Sequence, residues 1–500
     1  MHGRLALIVL LVGASSCARY GYAPRGDAPR GDAPRASDTR PREASAPAEG
    51  APPTDAARDT LRRDLFADAR ATDRAGDLPA PLGAPWSKRF GGPAFDSGYA
   101  VAVDKSRNIV VTGPFNGPID FGGGALSSAG GMDCYLASFD QNGNHRWSKR
   151  FGTSTEDYAD GVAVDGSGNV AIAGVFDGSV SFGGPVLVSA GAYDGFLASY
   201  TSAGAHRWSR RFGSTSFDSA YGVAFDASGN VFVTGEFYGS ADFGGGAVTT
   251  GAGGADIFLA SYTSSGAYRW AKSFGSGGSE SGWGIAVDGA GNVTIGGVAE
   301  GTVNFGGGLL STGVFLASFT GGGAHRWSKA FTGSAYVRGM AADATGNVAV
   351  TGAFSATMVL GANVASVGGY DAYVASFDAN GASRWVKTYG STGSDIGWGV
   401  ATDGSGNVTI TGEYSGAVTF PNGTMPCVGG SDIMIVSLSS SGGFRWAKTF
   451  GSSVDDYGHG VAAEPNGQLT VTGKFSNTVD FGQGPLTAGG QDVMLLRLMP

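Results

Sequence analysis

The chain's five histidines are the first residues to test for chemistry. His145, His206 and His325 each stand two residues before a Trp in widely separated stretches, so they are not expected to converge on one metal ion. His459 has no His or Cys partner at ligand spacing. "DGSGN" (165–169 and 403–407) invites comparison with a calcium loop, yet it lacks the spaced oxygen ligands and the distal Glu. None of the Gly-x-Gly stretches follows a strand and opens a helix, as phosphate binding requires. No catalytic residue, metal or cofactor is therefore expected.

One set of positions behaves differently. Tyr99, Asp160, Tyr221, Trp283, Arg338, Trp398 and His459 occur at matching places along the chain and differ from copy to copy while staying large or polar. Such side chains could stack on a sugar or on the apolar side chains of a peptide, or they could only plug a channel. Near them lie Asp96, Asp157, Asp218, Glu280, Asp395 and Asp455, which are expected to be solvated loop carboxylates with some capacity for a cation or a basic partner. Paired acids at such a place could also serve a glycosidase or lyase. A second acidic set, Asp133, Asp194, Asp256, Asp371, Asp432 and Asp492, recurs so regularly that hydrogen-bonded loop closure is the better reading.

The elements that position these residues follow from a repeat. Trp86, Trp147, Trp208, Trp270, Trp327, Trp385 and Trp446 are spaced by 61, 61, 62, 57, 58 and 61 residues. A period of this kind means an array of one supersecondary unit. Within the second unit "GVAVD" (161–165), "NVAIAGVF" (169–176), "GFLASY" (195–200) and "HRWSRRF" (206–212) alternate in strand fashion, and no segment has helical periodicity. Four strands per unit and seven units predict an all-β, seven-bladed β-propeller of four-stranded antiparallel blades. Gly at 89 of 500 residues suits so many tight reversals.

The copies are out of phase with the ends of the array. "PWSKRFGG" (85–92) is a lone fourth-type strand, and residues 458–498 supply only the first three types. Pairing the two completes the seventh blade and closes the ring, which otherwise leaves a ladder of unpaired N–H and C=O groups at each end. The uniformly small first strand, with Ala102, Ala163, Ala224, Ala286, Ala341, Ala401 and Ala462, suits the crowded axis. The Trp is expected to pack blade on blade, and the Arg that precedes six of them to lay its stem over the neighbouring blade with its head in water. Antiparallel succession puts both tight turns of every unit on one face and both long connections on the other, where the variable ring would surround the channel mouth. That face is where binding is expected.

The combined pattern "GYAVAVD…GNVxVTGxF…DxFLASFDxxGxxRWSKxFG" resembles the bacterial seven-bladed β-propeller repeat, often called the SBBP repeat, over residues 86–500. It departs in the fourth unit, where "LLSTGVFLASF" (309–319) lacks the Asp, and in the fifth, which has lost the aromatic-Gly-Gly loop. The resemblance implies the fold and no specific activity. "ASFDANGASRW" (375–385) also resembles the Trp-docking repeats of quinone-dependent dehydrogenase propellers, which implies shared blade packing and does not reach the cofactor.

Outside the repeat, "MHGRLALIVLLVGASSCARY" has the order of a secretory signal over residues 1–17, and "ASSC" resembles a bacterial lipobox with Cys17 as the acylated residue. Residues 18–84, rich in Ala, Pro, Arg and Asp, are expected to be a disordered tether, and the Arg-Gly-Asp tripeptides in it read as a duplicated spacer unit. Cys134 and Cys427 fall in non-adjacent repeats and are expected to be unpaired thiols. Residues 86–500 carry 21 basic against 31 acidic residues, a balance that speaks against nucleic acid as a partner. The expectation is an exported monomer, an outer-membrane or surface lipoprotein held by its lipid anchor alone, binding a protein or glycan through the long-connection face. The alternative is a carbohydrate-active enzyme with carboxylates near the channel.

Overall fold

The computed structural model describes residues 83–250 and 253–500. The stretch read as a secretory signal, Cys17 and the expected tether up to residue 82 lie outside them. Residues Pro81–Pro500 form one compact unit.

That unit is all-β among the described residues and contains seven four-stranded antiparallel sheets. The first blade runs Ala100–Val103, Ile109–Phe115, Asp133–Phe139 and His145–Phe151 from axis to rim, and the next five repeat this order. Inner strands of successive blades touch all the way round, and Ala100–Val103 meets Tyr457–Ala463 to complete the circle. The seventh blade is composite as the sequence predicts. Trp86–Phe90 pairs antiparallel with Pro485–Leu498, in the register Trp86↔Arg497 through Phe90↔Val493.

Second and third strands are largely buried and form the inter-blade cores; Val170–Phe176 and Asp194–Tyr200 are buried throughout. The small inner strand is a steric requirement. A Cβ on Gly399 would lie 2.5 Å from the His459 carbonyl oxygen of the next blade, too close for any side chain. The connection between second and third strands holds an element the sequence reading left as loop. In six blades it is a short hairpin such as Ser179–Ser181 with Val186–Val188, and in the seventh the two strands simply extend through Thr478↔Thr487. Its alternate residues, Val180 and Phe182, drop into the core.

The recurring Trp joins blades as expected. Trp147 stacks under Gly204 of the next blade and donates its indole N–H to the Ser202 carbonyl at 3.0 Å, and five others make the matching bond. Trp446 is the exception, its buried N–H having no acceptor among the described residues. In the blade it faces, no turn links the third and fourth strands, because these come from distant parts of the chain.

The Arg before each Trp stays within its own blade rather than crossing to the next. Arg146 donates to Ser138 Oγ at 2.9 Å, and Arg207, Arg269, Arg326, Arg384 and Arg445 bond the equivalent Ser. Arg326 alone also reaches across, to the Ala379 carbonyl. The composite blade inverts this pair. Pro85 occupies the Arg place, and Arg497, in the Ser place, reaches Glu464, Gln468 and Thr470 while fully buried.

Candidate functional site

Each variable ring residue is created by a backbone irregularity. In six blades the pairing of the inner strand with its neighbour skips one residue, and the skipped residues are Asp160, Tyr221, Trp283, Arg338, Trp398 and His459. Such a β-bulge re-aims one side chain at a chosen place in an otherwise regular ladder. Tyr99 directly precedes the first blade's inner strand, its N–H bonded to the Thr112 carbonyl.

All seven side chains are buried, none more than 9% exposed. Five of them form a continuous stack across consecutive blades. The Arg338 guanidinium lies 4.6 Å from the Trp283 ring, 4.8 Å from Trp398 and 4.5 Å from Tyr336. His459 makes edge contacts with Trp398 and Tyr99, both at 5.4 Å between ring centres. Its Nδ1 lies 3.2 Å from both the Gly98 carbonyl oxygen and the Ser97 hydroxyl. Tyr221 turns instead to Glu236, donating its hydroxyl at 2.8 Å, while Asp160 is buried at the same place in the second blade.

Sequence reasoning missed three buried ionisable side chains at one position near the end of the second strand: Glu236, Glu413 and Lys474. Other blades carry Pro114, Val175, Val298 and Ala353 there. Glu236 also accepts from Ser281 of the next blade. Burial pushes the Glu413 carboxyl up to about 8 and draws the Lys474 ammonium down, each opposed by the other's charge. Lys474 Nζ lies 4.3 Å from the Tyr457 ring and 5.3 Å from Phe95. The available signal was departure from the repeat's own pattern, the criterion that had picked out the ring.

Asp96, Asp157, Asp218, Glu280 and Asp395 are buried rather than solvated, which corrects the expectation above, whereas Asp455 stays partly exposed. Asp157 accepts the Thr153 N–H of the blade-to-blade loop at 2.7 Å and the Asp177 N–H of the strand-two exit at 3.1 Å, tying the two long connections together. Asp218 and Asp395 do the same, and so does Asp456, so the equivalent residue in the last copy is not Asp455. Burial raises Asp96 to about 7 and Asp157, Asp218 and Asp456 to about 6, against the amide bonds that favour the charged form. The second acidic set does close loops. Asp133, Asp194, Asp371, Asp432 and Asp492 each accept an amide three or four residues upstream, and Arg150, Arg211 and Arg89 add ion pairs to three of them.

The three repeated histidines each contact a Ser three residues on, and no group of three or more potential metal-binding side chains occurs among the described residues. Cys134 and Cys427 are unpaired. Two open clefts lie away from the ring. One of about 440 Å³ is framed by tight turns at 343–347 and 403–406, and one of about 500 Å³ lies at the rim between the seventh and first blades.

The β-propeller repeat model SBBP matches residues 207–236. An uncharacterised WD repeat-containing protein of Acanthamoeba polyphaga mimivirus is 21% identical across 78% of this chain, which spans about a third (36%) of that protein. Among solved structures, the Neurospora crassa Pan2 WD40 domain is similar over 80% of this chain and 89% of its own, at 9% identity and a TM-score of 0.41. A chain of a mitotic checkpoint complex is similar over 87% of this chain and all of its own, at 10% identity and 0.42. The described residues thus form a seven-bladed β-propeller whose ring is closed by one composite blade, and one stretch of it, residues 207–236, is similar to the SBBP repeat.

Proposed function

We propose that the protein is a non-enzymatic binding scaffold, displayed on the cell envelope through acylated Cys17, that engages a protein partner with the long-connection face of its propeller. The observation that carries the reading is the bulge ring: packing positions repeat from blade to blade, while the seven ring side chains differ and five of them are locked in one stack. A face held rigid in this way loses little freedom on binding. On the same face Val428 and Val454 are 67% and 41% exposed on adjoining connections, an apolar pair suited to a protein surface.

A photo-crosslinking amino acid placed at Val428 of the full chain, with Ser405 on the tight-turn face as control, tests this in envelope extracts. A discrete protein adduct from 428 and none from 405 is expected. Equal labelling from both, or release of products from a polysaccharide by the purified protein, overturns it. Palmitate labelling lost in Cys17→Ser tests the anchor.

A further inference from the structure

The charges of the propeller are sorted by layer. Sixteen of the 21 Lys and Arg in residues 86–500 fall on the seven outer strands, and none of the 31 Asp and Glu does. Two residues after the recurring Trp, every outer strand carries a cation: Lys88, Lys149, Arg210, Lys272, Lys329, Lys387 and Lys448. None of the seven forms an ion pair among the described residues. Arg210 spends its guanidinium on the Gly266 carbonyl of the next blade, which leaves six lysines around the rim. A chain segment with an overall acidic balance thus wears a cationic girdle.

Charge on an exposed edge strand prevents strand-to-strand aggregation, but that service needs no single sign. Three geometries decide what a one-sign girdle fits. A flat anionic surface meets only the blades on one side of a disk, because these lysines sit mid-strand on the rim. A single-stranded nucleic acid depends on aromatic platforms for its bases. The rim's Trp rings are covered by the next blade's turn, where a Cβ on Gly143, Gly204, Gly266 or Gly381 would press on the indole at 3.0 Å or less. A flexible polymer with charge but no bases suffers neither restriction. The cleft of about 500 Å³ between the seventh and first blades, lined by Lys88, Arg89, Asp120 and His145, is wide enough to seat a sugar ring.

We propose that the rim is a multivalent binding surface for a linear acidic polysaccharide, independent of the long-connection face. The probe is polygalacturonate, titrated into the full-length protein over a range of salt, with neutral dextran, oligo-dT and vesicles containing phosphatidylglycerol in parallel arms. Polygalacturonate binding is expected to weaken steeply with salt. Changing Lys149, Lys272 and Lys387 together to Gln is expected to lower affinity about tenfold or more and to flatten the salt slope by about 2, from roughly 0.7 for each lost contact. The corresponding triple Lys→Arg change should retain binding, which separates charge from fold, and Lys105→Gln on the tight-turn face should change nothing. Binding no tighter than to dextran, tighter binding to oligo-dT or to vesicles, or a Gln variant that binds like the parent overturns the proposal.

Discussion

Phe90→Ala tests the ring closure most directly. Phe90 is 8% exposed, belongs to the outer strand of the composite blade, and packs across the blade boundary with ring centres 5.0 Å from Phe139 and 5.2 Å from Phe121. Emptying such a site costs about 4 kcal/mol, from lost transfer energy and the cavity left behind. At an unfolding entropy of about 2 cal/mol/K per residue, a domain of this size loses about 4–5 °C in Tm. The control is Phe331→Ala, equally buried at 8% and 5.3 Å from Phe377. Its strand, His325–Phe331, is joined to the preceding strand by a tight turn, whereas Trp86–Phe90 has no such turn. Both variants should melt earlier by similar amounts. Hydrogen exchange should separate them: amides of residues 493–497 that face the closing strand lose protection in Phe90→Ala only, because that strand detaches without unfolding the rest. Unchanged exchange there, or a loss below about 1 kcal/mol in urea titration, refutes the closure argument.

Three further outcomes follow from the geometry. Asp96 at about 7 and Asp157, Asp218 and Asp456 at about 6 stand above their ordinary 3.8, so between about pH 4 and 7 the folded state holds more protons than the unfolded one. Their contribution to stability falls as pH rises through that window and levels off above it; Asp157→Asn should flatten the profile of Tm against pH, and an identical slope in parent and variant counts against these shifts. Trp147→Phe should cost about 1 kcal/mol more than Trp446→Phe, because only the first loses an indole hydrogen bond, and equal losses in urea titration contradict that account. Arg338→Ala should lose about 2 kcal/mol and shift Trp fluorescence, and Arg338→Lys should not restore it, since an ammonium cannot lie flat between three rings; full rescue by Lys disproves the stacking.

The blade count, strand order and closing strand were legible because Trp86 through Trp446 mark a period, and a four-strand period leaves few ways to satisfy both ends. The hairpin Ser179–Ser181 with Val186–Val188 was hidden in a Gly-rich stretch, where three-residue strands leave too short an alternation to distinguish from loop. Asp157 looked like an exposed carboxylate since its partners, the amides of Thr153 and Asp177, come together only once two loops converge. The ring was located by its variability, but the choice between a buried plug and an open stacking surface was not legible, because burial depends on Arg338 and His459 finding aromatic neighbours on other blades. Lys474 and Glu413 escaped notice as isolated departures within strands that otherwise look like core.

The pairing of Trp86 with Arg497 also sets an order of events during synthesis. The closing strand leaves the ribosome first and its partner about four hundred residues later, so for most of translation its edge has no native neighbour. Six blades can assemble in sequence from local contacts. The seventh cannot begin its outer layer until the end of the domain has emerged, which makes closure the slow, high-contact-order step. A chaperone or export factor that shields residues 86–90 over that interval would protect the point at which one half-made molecule could pair with another.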